Sequence, residues 1–334
     1  MREIDRNTAI ILSGGGAYGA YEVGVMKALF TGESAATRYA AINPGILTGT
    51  SVGAVNSSIL LSDPEADLCD MVERLEHTWT DVVSSGPNTC GNGIYRVRGD
   101  VLKFLSPSCY AANPVRPFVE SATDTGFFAR DLFLRGVNFL MSGGGLAERT
   151  LELIDVSALI SREPIENLLR ELVALETLRR SPRCLRIIVT NWDTGELRIF
   201  NNADLTDEDG YSIILGSAAI PGFFRPHFIA GQPYVDGGLL MNTPLKPAIE
   251  AGAVTLHVIY MDPDVANVPL SLLQSTLDVF DRFLLITSAA RTNEDIETAR
   301  WINRGLEAIQ RITRGEYQKS DLDAAARVAR EVEA

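Results

Sequence analysis

The sequence predicts an α/β fold, in which buried strands alternate with helices. An apolar strand at residues 8–12 runs through a glycine-rich turn into a helical stretch that ends near residue 30. A second apolar run at residues 46–47 leads through another glycine turn into a helix expected over residues 52–61. The chain has 334 residues, 46% of them hydrophobic, which is enough to bury a large core. We therefore expect one large α/β domain, alone or with a smaller appendage.

The charge of the chain restricts its partners. Its formal net charge is −13 and its isoelectric point is near 4.8. Nucleic acid is not expected as a standing partner, because phosphate binding requires a basic surface. The same charge argues less strongly against docking on anionic lipid, and an apolar patch could still make transient contact with a membrane or micelle surface.

The sequence shows no pattern typical of targeting or of membrane spanning. The first apolar run covers only residues 9–12, too short for a signal-peptide core, and no stretch of 18 uncharged apolar residues occurs. The four cysteines lack metal-like spacing, which favours a reduced, cytoplasmic protein, and a bridge between Cys90 and Cys109 remains open. No loop carries the spaced oxygen ligands of an EF-hand, and we expect neither a metal nor a cofactor.

A candidate nucleophile lies in the sequence Gly-Thr-Ser-Val-Gly at residues 49–53. A strand, a sharp turn and a helix would lift the Ser51 hydroxyl clear of the backbone at a helix N-terminus. Free amides and the positive end of the helix dipole then surround the reacting oxygen. Gly49 and Gly53 are expected to be required, because such a turn leaves no room for side chains. The alternative is a turn in which Ser51 only caps the helix.

The glycines after the first strand, Gly14, Gly15 and Gly16, let backbone amides approach an anion, since no Cβ atoms intervene. A nucleotide-phosphate loop is disfavoured, because no Lys-Ser/Thr pair follows. A dinucleotide fingerprint is also disfavoured, because residues 37–39 contain no acid to hold a ribose. We prefer an oxyanion hole formed by amides near Gly15 and Gly16, and a glycine turn needed only for packing is the alternative.

Between about residues 86 and 146 the periodic pattern weakens, and Pro, Gly and Phe recur. A second glycine triplet at residues 143–145 follows no clear strand and is expected to form a loop. The segment is either a mobile cap over an apolar cleft or an insertion with its own small core. The other expected elements are helices at about 65–83, 163–180, 216–224 and 265–332, a β-hairpin of residues 185–191 and 196–200, and a strand at 254–260.

Ser51 needs a general base, and the usual partner is histidine. None of the three histidines stands in a recognisable active-site turn: His77 is on an amphipathic helix, His227 in a Pro-His-Phe turn and His257 inside a β-run. A carboxylate can act instead if it contacts the hydroxyl directly in a dry pocket. Asp236, at a glycine turn that ends a strand, is placed to project into a cleft, and an ordinary Asx-turn is the alternative.

Three short blocks and two connecting stretches resemble the patatin-like phospholipase family. In chain order they are the blocks at residues 14–19, 49–53 and 236–238, and the stretches at 217–226 and 236–245. Any one block is common, but all of them in this order are specific. The resemblance covers about residues 8 to 260 and is weakest between 86 and 150.

The resemblance implies a three-layer α/β/α fold with a central, mostly parallel sheet. It also implies a single domain over residues 1–334, with a core at about 8–260, a cap-like insertion at about 86–150 and a helical C-terminal region at about 265–334. The implied activity is hydrolysis of acyl esters in phospholipids, lysophospholipids or neutral glycerolipids, without calcium or another cofactor. The expected partner is therefore a lipid ester substrate.

By the same resemblance, Ser51 would be the nucleophile and Asp236 its base, in a Ser–Asp dyad without histidine. Gly14, Gly15 and Gly16 would form the oxyanion loop. One position departs from the family pattern, which usually has Arg or Lys before the last glycine of the first block, where this chain has Tyr18. A cation there would help to hold an anionic headgroup or the developing negative charge.

Two other functions are compatible with the sequence. An acyltransferase could use the same serine, although such enzymes pair it with histidine. A non-catalytic lipid-binding or protein-binding member of the fold is the other alternative, and Tyr18 is the feature that favours it. Arg225 is a candidate to supply the positive charge that Tyr18 does not.

Overall fold

The computed structural model describes six parts of the chain: residues 2–83, 96–98, 115–141, 160–261, 276–316 and 318–332. It divides into two compact units, Met1–Met261 and Asp262–Ala334. Much of the predicted cap-like insertion, including the glycine triplet at 143–145 and both Cys90 and Cys109, lies outside the described residues. The division of the chain into core, insertion and C-terminal region therefore stays a prediction.

A central sheet organises the first unit. Its strands are β1 (Asp5–Leu12), β2 (Pro44–Thr50), β5 (Cys184–Asn191), β6 (Leu197–Asn201), β7 (His227–Ile229), β8 (Gln232–Asp236) and β9 (Thr255–Ile259). They follow the order β7-β8-β5-β2-β1-β9, and β6 also pairs with β5. Strands β1, β2, β5 and β9 are parallel, whereas β6, β7 and β8 are joined by antiparallel pairing. A separate short pair is formed by β3 (Arg96–Val97) and β4 (Ile160–Ser161).

Helices cover both faces of this sheet. They are α1 (Gly19–Thr31), α2 (Val52–Leu60), α3 (Leu68–His77), α4 (Arg116–Met141), α5 (Glu163–Leu172), α6 (Leu175–Arg180), α7 (Gly210–Ser217) and α8 (Leu245–Glu250). Alternate residues of β1 point to opposite sides: Ile10 and Leu12 belong to the larger hydrophobic core with α1, α2, α3, α5, α6 and α7, whereas Ala9 and Ile11 pack with Ala248 of α8. This confirms the predicted α/β fold with a central, mostly parallel sheet. The second unit contains α9 (Thr276–Thr313) and α10 (Lys319–Val332).

Two expected helices differ from the structure. The helix expected over 163–180 is divided into α5 and α6, because Val173 and Ala174 are extended and allow the buried Leu175 to turn into the core. The helix expected over 216–224 is wrong, because α7 ends at Ser217. The residue before a proline avoids helical geometry, and Pro221 follows shortly after this end.

Strand β5 brings two distant chain segments together. Along one edge its residues 186–190 pair with β6. Its other edge pairs first with β2, as far as Ile188 with Thr50, and then with β8, beginning at Val189 with Asp236. The carboxyl ends of β2 and β8 therefore meet head-on over consecutive residues of β5. This register places the residue that follows β2 beside the last residue of β8.

Candidate active site

Ser51 lies in a sharp turn between β2 and α2. Its φ is 56° and its ψ is −125°, a combination that L-residues rarely adopt, and the residue is buried. A Cβ atom at Gly49 would lie 2.5 Å from the backbone of Gly53, and one at Gly53 would lie 2.4 Å from the carbonyl oxygen of Leu12. Side chains cannot be fitted at such distances, so the turn requires both glycines, as the sequence predicts.

Ser217, at the end of α7, holds this turn against β5 through two hydrogen bonds. Its Oγ accepts a hydrogen bond from the Ser51 amide at 2.9 Å and donates one to the carbonyl oxygen of Ile188 at 2.6 Å. All three residues are buried, which strengthens the effect of each bond on the backbone. Ser217 was not predicted as a site residue, and its only signal in the sequence is its position at the start of the family-like stretch at 217–226.

Asp236 ends β8 and is buried beside Ser51. Its Oδ1 accepts a hydrogen bond from the Gly238 amide at 2.7 Å, and its own amide donates to the carbonyl oxygen of Ala219 at 3.0 Å. Burial raises the pKa of Asp236 to about 6, although the hydrogen bond from the Gly238 amide and the nearby hydroxyl of Ser51 act to lower it. The structure thus brings the predicted nucleophile and the predicted base beside each other.

The glycine loop packs directly against the serine. A Cβ atom at Gly14 would lie 3.0 Å from the Cβ of Ser51, and Gly16 has a φ of +55°, which favours glycine. The Gly14 amide already donates to the carbonyl oxygen of Asn242 at 3.2 Å, and Asn242 Nδ2 donates to the Gly14 carbonyl oxygen at 3.1 Å. Within the described ranges no acceptor is seen for the amides of Gly15 and Gly16. These two amides are therefore the ones available to a ligand.

The histidines lie elsewhere. His77 pairs with Asp81 on an exposed surface, His227 begins β7, and His257 is in the edge strand β9. Burial and the nearby charge of Arg162 lower the pKa of His227 to about 3, and burial lowers that of His257. Both are therefore neutral at pH 7. Within the described part of the chain, no histidine is a hydrogen-bond partner of the buried serine and carboxyl of the site.

Tyr18 is exposed, and Arg225, the candidate cation, is already in an ion pair. Tyr18 is 58% exposed at the end of a 3₁₀ turn. Arg225 donates to Asp131 of α4 at 2.7 Å, and Arg135 shares the same carboxylate at 2.6 Å. These two arginines lower the pKa of Asp131, and that carboxylate in turn offsets part of the positive charge of Arg225.

The described residues form neither a metal-binding cluster nor a membrane-spanning helix. No cluster of three or more His, Cys, Asp or Glu side chains there could hold a metal ion. None of the helices in that part of the chain combines the length and the apolar character needed to cross a bilayer. Cys69 and Cys184, the described cysteines, are both free thiols.

Known proteins place the chain in a family. A sequence model described as patatin-like phospholipase matches residues 10–249, well over half of the 334 residues. Comparison with curated proteins gives no match. Among solved structures the chain is similar to VipD from Legionella pneumophila, with 18% identity and a TM-score of 0.36, over 92% of this chain and 55% of that one, so that it spans just over half the length of VipD. From the extent of the family match, the chain belongs to the patatin-like phospholipase family.

Proposed function

We propose that this protein is a lipid acyl hydrolase that cleaves carboxylic esters through a covalent acyl-Ser51 intermediate. The observation that carries the proposal is one juxtaposition: Ser51, in a strained turn just before α2, lies beside the buried carboxyl of Asp236, close enough for its hydroxyl to lower the pKa of that group. A hydroxyl beside a base, away from water, is what nucleophilic catalysis requires. Membership in the patatin-like phospholipase family favours a lipid ester as substrate.

The reaction proceeds in two halves. Ser51 Oγ bonds to the acyl carbon while its proton passes to the Asp236 carboxylate, and collapse of the tetrahedral intermediate breaks the carbon–oxygen bond to the leaving alcohol, which takes that proton. Water then attacks the acyl-enzyme and gives a proton to Asp236. This proton returns to Ser51 Oγ as the fatty acid leaves, so the dyad is regenerated.

The glycine loop would stabilise the charge that develops in both halves. Because the Gly14 amide is engaged by Asn242, the oxyanion donors we propose are the amides of Gly15 and Gly16, with Gly14 as the fixed end of the loop. One such donor contributes ~3–4 kcal/mol of transition-state stabilisation in a serine hydrolase. The role of the Ser217 hydroxyl is to hold the Ser51 backbone in register with this loop.

The lipid preferred by this site is expected to be neutral or zwitterionic. The family's cation beside the last glycine of the loop is replaced by Tyr18, whose side chain supplies no positive charge and is largely exposed. Arg225, the other candidate, is paired with Asp131. We therefore propose phosphatidylcholine-like, lyso- or neutral glycerolipids as better substrates than phosphatidylglycerol or phosphatidylserine.

A substrate panel and a serine-directed probe test the function. We expect the wild-type protein to be labelled covalently by a fluorophosphonate and to release fatty acid from mixed micelles of phospholipid, lysophospholipid or triacylglycerol. Rates should be equal with calcium and with a chelator. Absence of both labelling and hydrolysis would indicate a binding protein, and transfer of the acyl group to an added alcohol or thiol in preference to water would indicate an acyltransferase.

The rate is also expected to depend on the ionisation of Asp236. Since only the carboxylate can accept the Ser51 proton, kcat/KM should fall tenfold per pH unit below about pH 6, the pKa to which burial raises this group. An Asp with an ordinary pKa would keep the rate constant down to about pH 4. Hydrolysis of a soluble p-nitrophenyl ester, sampled discontinuously at each pH, provides the measurement. Recovery of full activity on return to pH 7.5 is the control for unfolding.

A further inference from the structure

A buried polar cluster joins the helix after the glycine loop to the helix after Ser51. Glu22, in the first turn of α1, is 0% exposed, and its Oε2 accepts a hydrogen bond from Asn56 Nδ2 at 2.8 Å. The same Nδ2 donates to the carbonyl oxygen of Gly19 at 3.1 Å. Trp79 Nε1 donates to Asn56 Oδ1 at 2.9 Å. Glu22 Oε1 is buried and has no hydrogen-bond partner within the described chain.

The direction of each bond in this cluster is fixed by chemistry. The indole N–H of Trp79 can only donate, so the carbonyl oxygen of the Asn56 amide must face Trp79. The NH₂ of Asn56 then faces Gly19 and Glu22, and the Glu22 oxygen that it meets must accept. The carbonyl oxygen of an un-ionised carboxyl is sufficient for this task.

The cluster lies directly behind the site. Asn56 is on α2, which begins immediately after Ser51, and Gly19 is the residue at which α1 begins after the glycine loop. A Cβ atom at Gly19 would lie 2.4 Å from the Val52 side chain and 2.7 Å from the Trp79 ring. The start of α1 is thus packed against the residue next to the nucleophile, and Asn56 of α2 donates hydrogen bonds to Gly19 and Glu22 of α1.

We propose that Glu22 is a positioning residue for the Ser51 site, and that through Asn56 it fixes the start of α1, and with it the glycine loop, against the helix that begins after Ser51. The inference rests on the proposed hydrolase function, because its consequence is a correct distance between the loop amides and Ser51. A misplacement of about 1 Å in such a geometry lowers a rate by about 10²-fold.

Burial raises the pKa of Glu22 well above its ordinary value, and the bond from Asn56 offsets this only in part, so the site favours the uncharged acid. The helix dipole at the start of α1 favours the carboxylate, but such end effects are small beside the loss of hydration. When the pH rises through that raised pKa, ionisation would leave a carboxylate with no balancing charge, and the contact with Asn56 would rearrange.

The charged groups on the surrounding elements do not neutralise that carboxylate. Helix α2 has no charged residue, and Lys27, on α1 itself, pairs with Glu76 of α3. The charged and titratable groups of α3 and of the π-helical turn that contains Trp79 (Thr78–Val83) are exposed or half-buried: Cys69, Asp70, Glu73, Arg74, Glu76, His77 and Asp81.

Two substitutions of similar size separate positioning from simple packing. Glu22→Gln keeps an acceptor for Asn56 and cannot ionise, so it should retain most of kcat at pH 7.5 and keep the rate at alkaline pH where that of the wild type declines. Glu22→Leu removes the acceptor and should lower kcat by about 10- to 100-fold with little change in KM. Equal losses in both variants, or an alkaline decline unchanged in Glu22→Gln, would overturn the proposal.

The fluorescence of Trp79 gives a readout that does not depend on catalysis. The chain has three tryptophans, so Trp192→Phe and Trp301→Phe leave Trp79 as the single emitter, and Ser51→Ala can be added to remove turnover. We expect Trp79 emission to change with a midpoint that matches the alkaline decline of kcat, and Glu22→Gln to abolish this change. An emission change that persists in Glu22→Gln contradicts the inference. If the wild-type protein hydrolyses no ester while the Trp79 emission still changes, the proposed function is refuted and the Glu22 link stands.

Discussion

Replacing Ser51 by alanine is expected to lower ester hydrolysis by at least about 10⁴-fold, to the level of the uncatalysed background. The reason is that Ser51→Ala removes the only atom that forms the acyl-enzyme, while the glycine loop and Asp236 can still bind substrate. Alanine has no larger side chain than serine and needs no more room in the turn, so the fold should persist. Fluorophosphonate labelling and fatty-acid release measure the loss, and circular dichroism checks the fold.

Helix α2, which begins immediately after Ser51, provides a matched control. Ser58 is buried on α2, but its hydroxyl donates to the carbonyl oxygen of Ala54 at 2.8 Å and has no part in the proposed reaction. Ser58→Ala should therefore retain labelling and turnover. Ser51→Gly should be as inactive as Ser51→Ala but more stable by about 1–3 kcal/mol, because glycine adopts a positive φ without strain. Turnover that survives in both Ser51 variants would eliminate the proposed nucleophile.

Replacing Asp236 by asparagine is expected to lower kcat by about 10³- to 10⁴-fold. The asparagine side chain has the same shape and can still accept the hydrogen bond from the Gly238 amide, but it cannot take a proton from Ser51. Because only the base is lost, KM should change little. Single-turnover acylation with an activated ester is the measurement, since it isolates the step in which Asp236 first acts.

The same substitution should stabilise the protein at neutral pH, which distinguishes a lost base from a damaged fold. The folded state keeps the proton of Asp236 up to about pH 6, whereas the unfolded chain releases it near 3.8. Wild-type stability therefore falls as pH rises between these values, by up to roughly 3 kcal/mol for a shift of about two units. Asp236→Asn escapes this loss, so urea unfolding should show it to be more stable than wild type at pH 7.5 and nearly equal at pH 4. Reduced stability at pH 7.5 would instead indicate a structural role.

The sequence predicted those parts of the site that depend on local chemistry. The turn at Ser51 needs glycines on both sides for steric reasons, and Asp236 was expected at the end of a strand because Asp-Gly-Gly is a turn sequence. The hairpin of β5 and β6 was likewise predicted correctly from its turn chemistry. All of these are features in which neighbouring residues determine the geometry.

The features that the sequence did not predict depend on contacts between distant residues. The Gly14 amide is engaged because Asn242, 228 positions further on, lies against it, so one of the three expected oxyanion donors is occupied. Ser217 supports Ser51 only because α7 packs behind β5. Helix α4 was not expected, because Thr125, Gly126 and Phe127 at its centre are weak helix formers.

The short ladder between β8 and β5 consists of only three residue pairs, Val189 to Asn191 with Asp236 to Tyr234. If that ladder slipped by one position, every side chain of β8 would turn to the opposite side of the sheet, and the carboxyl group of Asp236 would point away from the serine. Changes in length should therefore be tolerated at the β7–β8 turn, where Ala230 and Gly231 have positive φ, but not within the ladder itself. Insertion or deletion of one residue within the ladder would abolish the proposed esterase activity and leave the hydrophobic core intact.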